Sequence, residues 1–169
     1  EEEQASEEVA SVQEEVEKAL SKIAKEPIRI HASGRTDADV HALAQVFHFD
    51  ALLEMPEDAW LRAMNALTSD AILITDVEMV DESFHSRFHA KSKHYVYYLN
   101  MGPMNLFQRK YIYQLCKPLD IELMREAMAM IVGEHDFTSF NSTELAIIPN
   151  QIRTVYAFDL IQEGDLLTF

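Results

Sequence analysis

With 169 residues, of which 48% are hydrophobic, the chain is long enough to bury one sizeable core or two small ones sharing an interface, which excludes disorder throughout. A single cysteine, Cys116, excludes an internal disulfide framework and a multi-cysteine metal site and points to a reducing compartment, so the expected location is cytoplasmic. The longest apolar run, Ala127 to Val132, is far short of a membrane span, and the acidic N-terminus has the wrong charge for a signal peptide.

In chain order, Glu1 to Glu8 carries five glutamates and is expected to be disordered. Ser11 and Glu14 have capping-box spacing, and Val9, Val12, Val16, Leu20 and Ile23 form one apolar stripe, which predicts a helix. The run "IRIHA" from Ile28 reads as a strand that enters a polar loop, and "LAQVFHFD" leaves it as another. Pro56 opens a second helix, "PEDAWLRAMNAL", with Trp60, Met64 and Leu67 on one side. "AILITDVEMV" and "SKHYVYYLN" read as strands, the latter with Tyr95, Tyr97 and Leu99 on one face. A third helix is expected from about Asp120 to Val132, stopped by Gly133. "NQIRTVYAFDLIQEGDLLTF" reads as a long strand, a turn at Glu163 to Asp165, and a short returning arm that should add little pairing. These elements predict an α+β class, as one unit or as two closely packed lobes without a clear boundary.

The net charge of −15 argues against a nucleic-acid partner, because such binding relies on Lys and Arg neutralising phosphates. Its distribution weakens that objection. No acidic residue lies between Glu82 and Asp120, while Arg87, Lys91, Lys93, Arg109, Lys110 and Lys117 give that segment six positive charges, with His85, His89 and His94 nearby. Tyrosines among these cations suit a partner with phosphates and stackable bases, although a solvated strand gives a milder version of the same pattern.

Four glycines in the chain leave no glycine-rich phosphate loop, and there is no G-x-S-x-G elbow or H-E-x-x-H, which disfavours a classical cofactor enzyme. What remains is Asp37 in a polar loop with Arg35, Asp39 and His41. Taken alone, Asp37 reads as an Asx-turn residue; beside a cation it is a carboxylate held ionised, as a nucleophile requires. Arg35 has the alternative of pairing with Asp37 or Asp39, and Tyr95 that of a core aromatic. His41, Gln45 and Phe47 read as scaffold for the loop, and His135 and Asp136 as a brace for a turn after Gly133.

"GRTDADVHALAQVFHFD" resembles the pattern G-R-T-D-A-G-V-H-A around the catalytic aspartate of the bacterial tRNA pseudouridine synthase A family. The resemblance continues through "SFHSRFHAKSKHYVYYLN", similar to F-H-A-R-F-x-A-x-[SR]-[KR]-x-Y, and through "GEHDFTSF" and "IRTVYAFDL", covering about Ser11 to Phe169. It implies a pseudouridine synthase fold, a mixed or antiparallel sheet with flanking helices in ferredoxin-like lobes, with residues 9–169 as a partial catalytic domain. The implied activity isomerises uridine to pseudouridine in the anticodon stem-loop of tRNA, without cofactor or metal, in a homodimer. Carried over position by position, Asp37 is the catalytic carboxylate, acting by attack on ribose or base or by promoting a glycal. Arg35 displaces the target base, and Tyr95 stacks near the flipped uridine. Arg87, Lys91 and Lys93 line the RNA cleft with Arg35.

Two departures stand out. Asp39 occupies the place of a motif glycine, where a positive φ or a close backbone approach is expected and where a second carboxylate should weaken RNA binding and turnover. The family's opening segment of the type Y-D-G-T-x-[FY]-x-G-[WF]-Q and its later G-F-L-x-x-M-V-R segment, whose arginine pairs with the catalytic carboxylate, are not in this sequence. The expectation is therefore a fragment of a longer protein or a reduced homologue. Two further readings remain: an RNA-binding or dimerisation remnant of the same fold, and a metal-dependent phosphohydrolase using Asp37, Asp39 and His41 with His135 and Asp136.

Overall fold

The N-terminal helix begins where its capping box places it. In a computed structural model, which describes residues 10–141, 147 and 149–169, helix α1 (Val12–Ala24) is capped by Ser11, whose hydroxyl accepts the Glu14 N–H at 3.2 Å. Lys25 ends it in the left-handed region at φ 58°. Val16, Ala19 and Leu20 are buried, whereas Val12 is exposed, so the apolar stripe starts one turn later than its spacing implies. The expected disordered Glu1 to Glu8, and Val9, lie outside the described residues.

The chain divides into two compact units, Glu1–Ser92 and Lys93–Phe169. In the first, α1 and α2 (Glu57–Asn65) pack around Val16, Leu20, Ile28, Ile30, Trp60, Met64 and Ile74. Phe49 meets Trp60 edge-on at 5.3 Å. Each such side chain taken from water contributes roughly 1.5–3 kcal/mol. Two expected strands shrink here for one reason: side chains of the helices take their backbone groups. Of "IRIHA", only β1 (His31–Ala32) is strand, because the Ile28 N–H goes to Ser21 Oγ at 2.9 Å and the Ile30 N–H to Glu17 at 3.1 Å. Burial works against the Glu17 carboxylate, but hydrogen bonds from Gln13, Ile30 and Arg29 outweigh it and hold its pKa below the ordinary value. "AILITDVEMV" forms no strand. Asn65 both donates to and accepts from Ile74 at 2.8 Å, and Glu57 accepts the Met79 N–H at 2.7 Å. The Ile74 N–H and carbonyl and the Met79 N–H are thus satisfied without a ladder.

The second unit is built from strands. β4 (Tyr113–Gln114), β3 (Tyr98–Asn100), β8 (Leu166–Thr168) and β7 (Ile161–Glu163) lie in that order, β3 and β4 parallel, the other neighbours antiparallel. β5 (Gly133–Asp136) and β6 (Ile152–Val155) form a separate antiparallel pair. The expected long C-terminal strand is thus two strands on different ladders, β6 on β5 and β7 on β8, and changing partner breaks the run. The returning arm is the larger surprise. β8 pairs on both sides and its Leu167 is fully buried. The turn before it is the expected one, Gly164 at φ 61° in a two-residue hairpin loop. Helix α3 (Ile121–Ala129) is capped by Asp120 and ends at Met130, short of Gly133. Gly133, at φ 115°, opens β5 rather than stopping the helix. The class is α+β, with mixed and antiparallel sheets.

Candidate active-site loop and nucleic-acid interface

β1 pairs with β2 (Phe47–His48) in the register His31 to His48 and Ala32 to Phe47. The pairing is extended by the Ser33 N–H on the Val46 carbonyl at 2.8 Å, and Gln45 Nε2 donates to the Gly34 carbonyl across the neck. Gln45 is therefore scaffold, as is Phe47, which packs on the core of the first unit. The polar loop between these strands is closed at its base and exposed at Arg35, Asp37, Asp39 and His41.

Within it, the Val40 N–H returns to the Asp37 carbonyl at 3.1 Å, making Asp37 the first residue of a turn whose third residue, Asp39, has φ 67°. A positive φ at the third position is what a type II turn requires, and glycine adopts it without steric cost. The place where the family motif carries glycine is thus a left-handed position, and Asp39 fills it under mild strain. Among the described residues no ion pair joins Arg35 to Asp37 or Asp39, so both charges face solvent rather than each other. Among the described residues, no three His, Cys, Asp or Glu side chains stand together to hold a metal ion. Asp37, Asp39 and His41 therefore do not assemble as the metal set of the phosphohydrolase reading.

The segment carrying Arg87 is docked on the same hairpin. Ser86 is buried; its hydroxyl donates to the His31 carbonyl at 2.6 Å and its N–H to His48 Nδ1 at 3.2 Å. His31 stacks on His48 at 5.0 Å and His85 lies across it at 4.7 Å. Burial, then the neighbouring His85 and His31 rings, push the pKa of His48 down from its ordinary value. Arg87 and Lys91 remain exposed in this unit, and Lys93 and Tyr95 in the second. Tyr95 is 78% exposed, which removes the core-aromatic alternative. Among the described residues the ion pairs join Lys18 to Glu14, Arg29 to Glu17, Arg62 to Asp58 and Arg125 to Glu122. None of them uses Arg87, Lys91, Arg109, Lys110 or Lys117, so these cations are uncommitted. Asp136 accepts the N–H and the hydroxyl of Thr138 at 2.9 and 2.5 Å, which brace the turn after β5 and lower its pKa. His135 Nε2 lies 3.2 Å from the Val132 carbonyl.

A model of the family described as tRNA pseudouridine synthase matches residues 2–89, a stretch that contains the whole loop. The chain belongs to the tRNA pseudouridine synthase family. Relatives named tRNA pseudouridine synthase A agree with it along almost its full length. The protein of Geobacillus sp. (strain WCH70) is 45% identical over 161 residues, covering 94% of this chain and 64% of its own. That of Exiguobacterium sp. (strain ATCC BAA-1283 / AT1b) is 42% identical over 159 residues, 94% of this chain and 64% of its own. That of Anoxybacillus flavithermus (strain DSM 21510 / WK1) is 42% identical over 160 residues, 94% and 65%. The chain thus spans a little under two thirds of the length of these curated relatives. No helix among the described residues is long and apolar enough to cross a membrane.

Sequence reasoning does not single out Ser86 or His48 as working residues. The one signal for them is the serine in "FHSRF", where the family pattern F-H-A-R-F has alanine.

Proposed function

We propose that the chain acts as a tRNA pseudouridine synthase, converting uridine to pseudouridine in the anticodon stem-loop, with Asp37 as the catalytic carboxylate. The observation that carries this reading is the family match across residues 2–89, a stretch in which Asp37 lies in an exposed turn on a loop closed by β1 and β2. A solvent-facing carboxylate can reach a nucleotide that has left its stack. Arg35 sits two residues before it on the same loop and serves to hold the displaced backbone. Arg87 and Lys91 in the first unit, with Lys93 in the second, supply phosphate contacts that do not depend on base identity. Tyr95 offers an exposed ring for stacking the extruded base. The protein works as a homodimer in the cytoplasm, its partner is tRNA, and its own residues carry the chemistry without a cofactor.

The test is tritium release from a tRNA transcript labelled at uridine C5, with the chain and with Asp37→Ala. The expected result is release by the chain and at least about a hundredfold loss in the variant with RNA affinity retained, since one catalytic group is removed. Equal release from both, or RNA binding without any release from either, would sink the catalytic reading. The second of those outcomes would leave an RNA-binding member of the family.

A further inference from the structure

Ser86 is a buried polar residue, 4% exposed, and its partners conflict over one hydrogen. Its hydroxyl hydrogen is taken by the His31 carbonyl at 2.6 Å. The Ser86 N–H points at His48 Nδ1 at 3.2 Å, and Ser86 Oγ lies 3.0 Å from that same nitrogen. To accept the N–H, Nδ1 must carry a lone pair. To donate to Oγ, it must carry a hydrogen. The two arrangements belong to different states of the ring, and a ring protonated on both nitrogens permits only the second.

We propose that Ser86 and His48 form a proton-sensitive clasp that holds the Arg87 segment on the hairpin bearing the Asp37 loop, and that the neutral ring is the form that presents Arg87 to RNA. The RNA consequence rests on the function proposed above; the clasp does not. His48 and its antiparallel partner His31 stand at the base of the loop, next to the Ser33 to Val46 bond that closes it. Arg87 follows Ser86 directly, and its own N–H donates to His85 Nδ1 at 3.2 Å. The His31 carbonyl and the His48 ring therefore fasten this segment to the hairpin, and the His85 ring bonds within it. The groups facing His48 are the His31 and His85 rings, the edge of Phe84 at 6.1 Å, the His31 carbonyl and Asp50. Burial and the two rings disfavour a proton on His48, and outweigh Asp50 and the carbonyl, which favour it. The ring accordingly stays neutral until the pH falls below the range in which an ordinary histidine titrates. Protonation then turns its acceptor into a donor: the bond from Nδ1 to Ser86 Oγ is the one that remains, and the Ser86 N–H is left facing another N–H.

The test follows the Ser86 amide by nuclear magnetic resonance in the isotope-labelled chain and in His48→Asn, whose Oδ1 keeps an acceptor in place of Nδ1 without titrating. From about pH 7.5 to about pH 5, the protection of this amide against hydrogen exchange should fall about tenfold in the chain and stay level in the variant. In parallel, binding of a fluorescent anticodon stem-loop is measured for both proteins. The ratio of their affinities cancels the other histidines, and should move several-fold against the chain as the pH falls. An amide equally protected at both pH values in the unsubstituted chain overturns the clasp, whatever the variant does. An affinity ratio that stays flat while protection falls overturns the role in RNA binding. Falling protection with no RNA binding at any pH overturns the function proposed above and, with it, the RNA consequence, leaving the proton-sensitive clasp standing.

Discussion

The first unit builds its core behind two helices, whereas the second ties its backbone into ladders and leaves most of its aromatics in water. Leu20, Trp60 and Met64 are almost wholly buried in the first. In the second, Leu99, Met128 and Leu167 are buried, while Tyr95, Tyr97, Phe107, Tyr111, Phe140 and Tyr156 are each more than 60% exposed. The contrast shows two ways of meeting the same requirement, that every buried backbone group find a partner. Where helix side chains supply the partner, as Asn65 does for Ile74, an extended segment needs no neighbouring strand. Where they do not, strands pair with strands, and the exposed aromatics lie in the loops and turns between them.

The helical core of the first unit is most sensitive at Trp60, which is 3% exposed. Trp60→Ala should destabilise the first unit by about 3–5 kcal/mol, enough to unfold a marginal domain, with chemical denaturation followed by circular dichroism as the measurement. An effect near zero would mean that the helical core is not what holds that unit. Leu167→Ala, on a strand paired on both sides, should cost about 2–4 kcal/mol, read as lost amide protection in β3 and β7; unchanged protection there would make β8 peripheral after all. Asn65→Ala should cost about 1–3 kcal/mol by leaving the backbone of Ile74 without its partners, and exchange at the Ile74 amide would localise the loss. If that amide stays protected, the segment from residue 72 to 80 is held by something other than α2. The smallest effect belongs to the loop. Asp39→Gly should stabilise the chain by about 0.5–1 kcal/mol by relieving the left-handed backbone. It should also strengthen RNA binding by removing an exposed negative charge near Asp37, and a variant unchanged in both melting and affinity would show that Asp39 bears no strain.

Much of the candidate site is legible in the amino-acid order alone, because it lies within one short segment. The motif from Gly34 to Asp50 puts Asp37 and Arg35 on a loop between two extended runs, and the glycine-to-aspartate departure points to a positive φ, which Asp39 adopts at 67°. The cap at Ser11, the helices at α1 and α2, and the hairpin turn at Gly164 follow from residues a few positions apart. The Ser86 clasp is hidden from such a reading because its partners are 38 and 55 residues away, and no local period reports such a contact.

By itself, then, the sequence determined the family, the acidic chain with one basic segment, the helix caps and the polar side chains of the loop, since each depends on residue identity and short spacing. The tertiary structure alone decided which extended runs became strands. "AILITDVEMV" has the pattern of a strand and found helix side chains instead, while the short arm at Leu167 found a partner on each side. An extended run carries its own hydrophobic pattern, but its hydrogen bonds are completed by whatever the rest of the chain brings beside it.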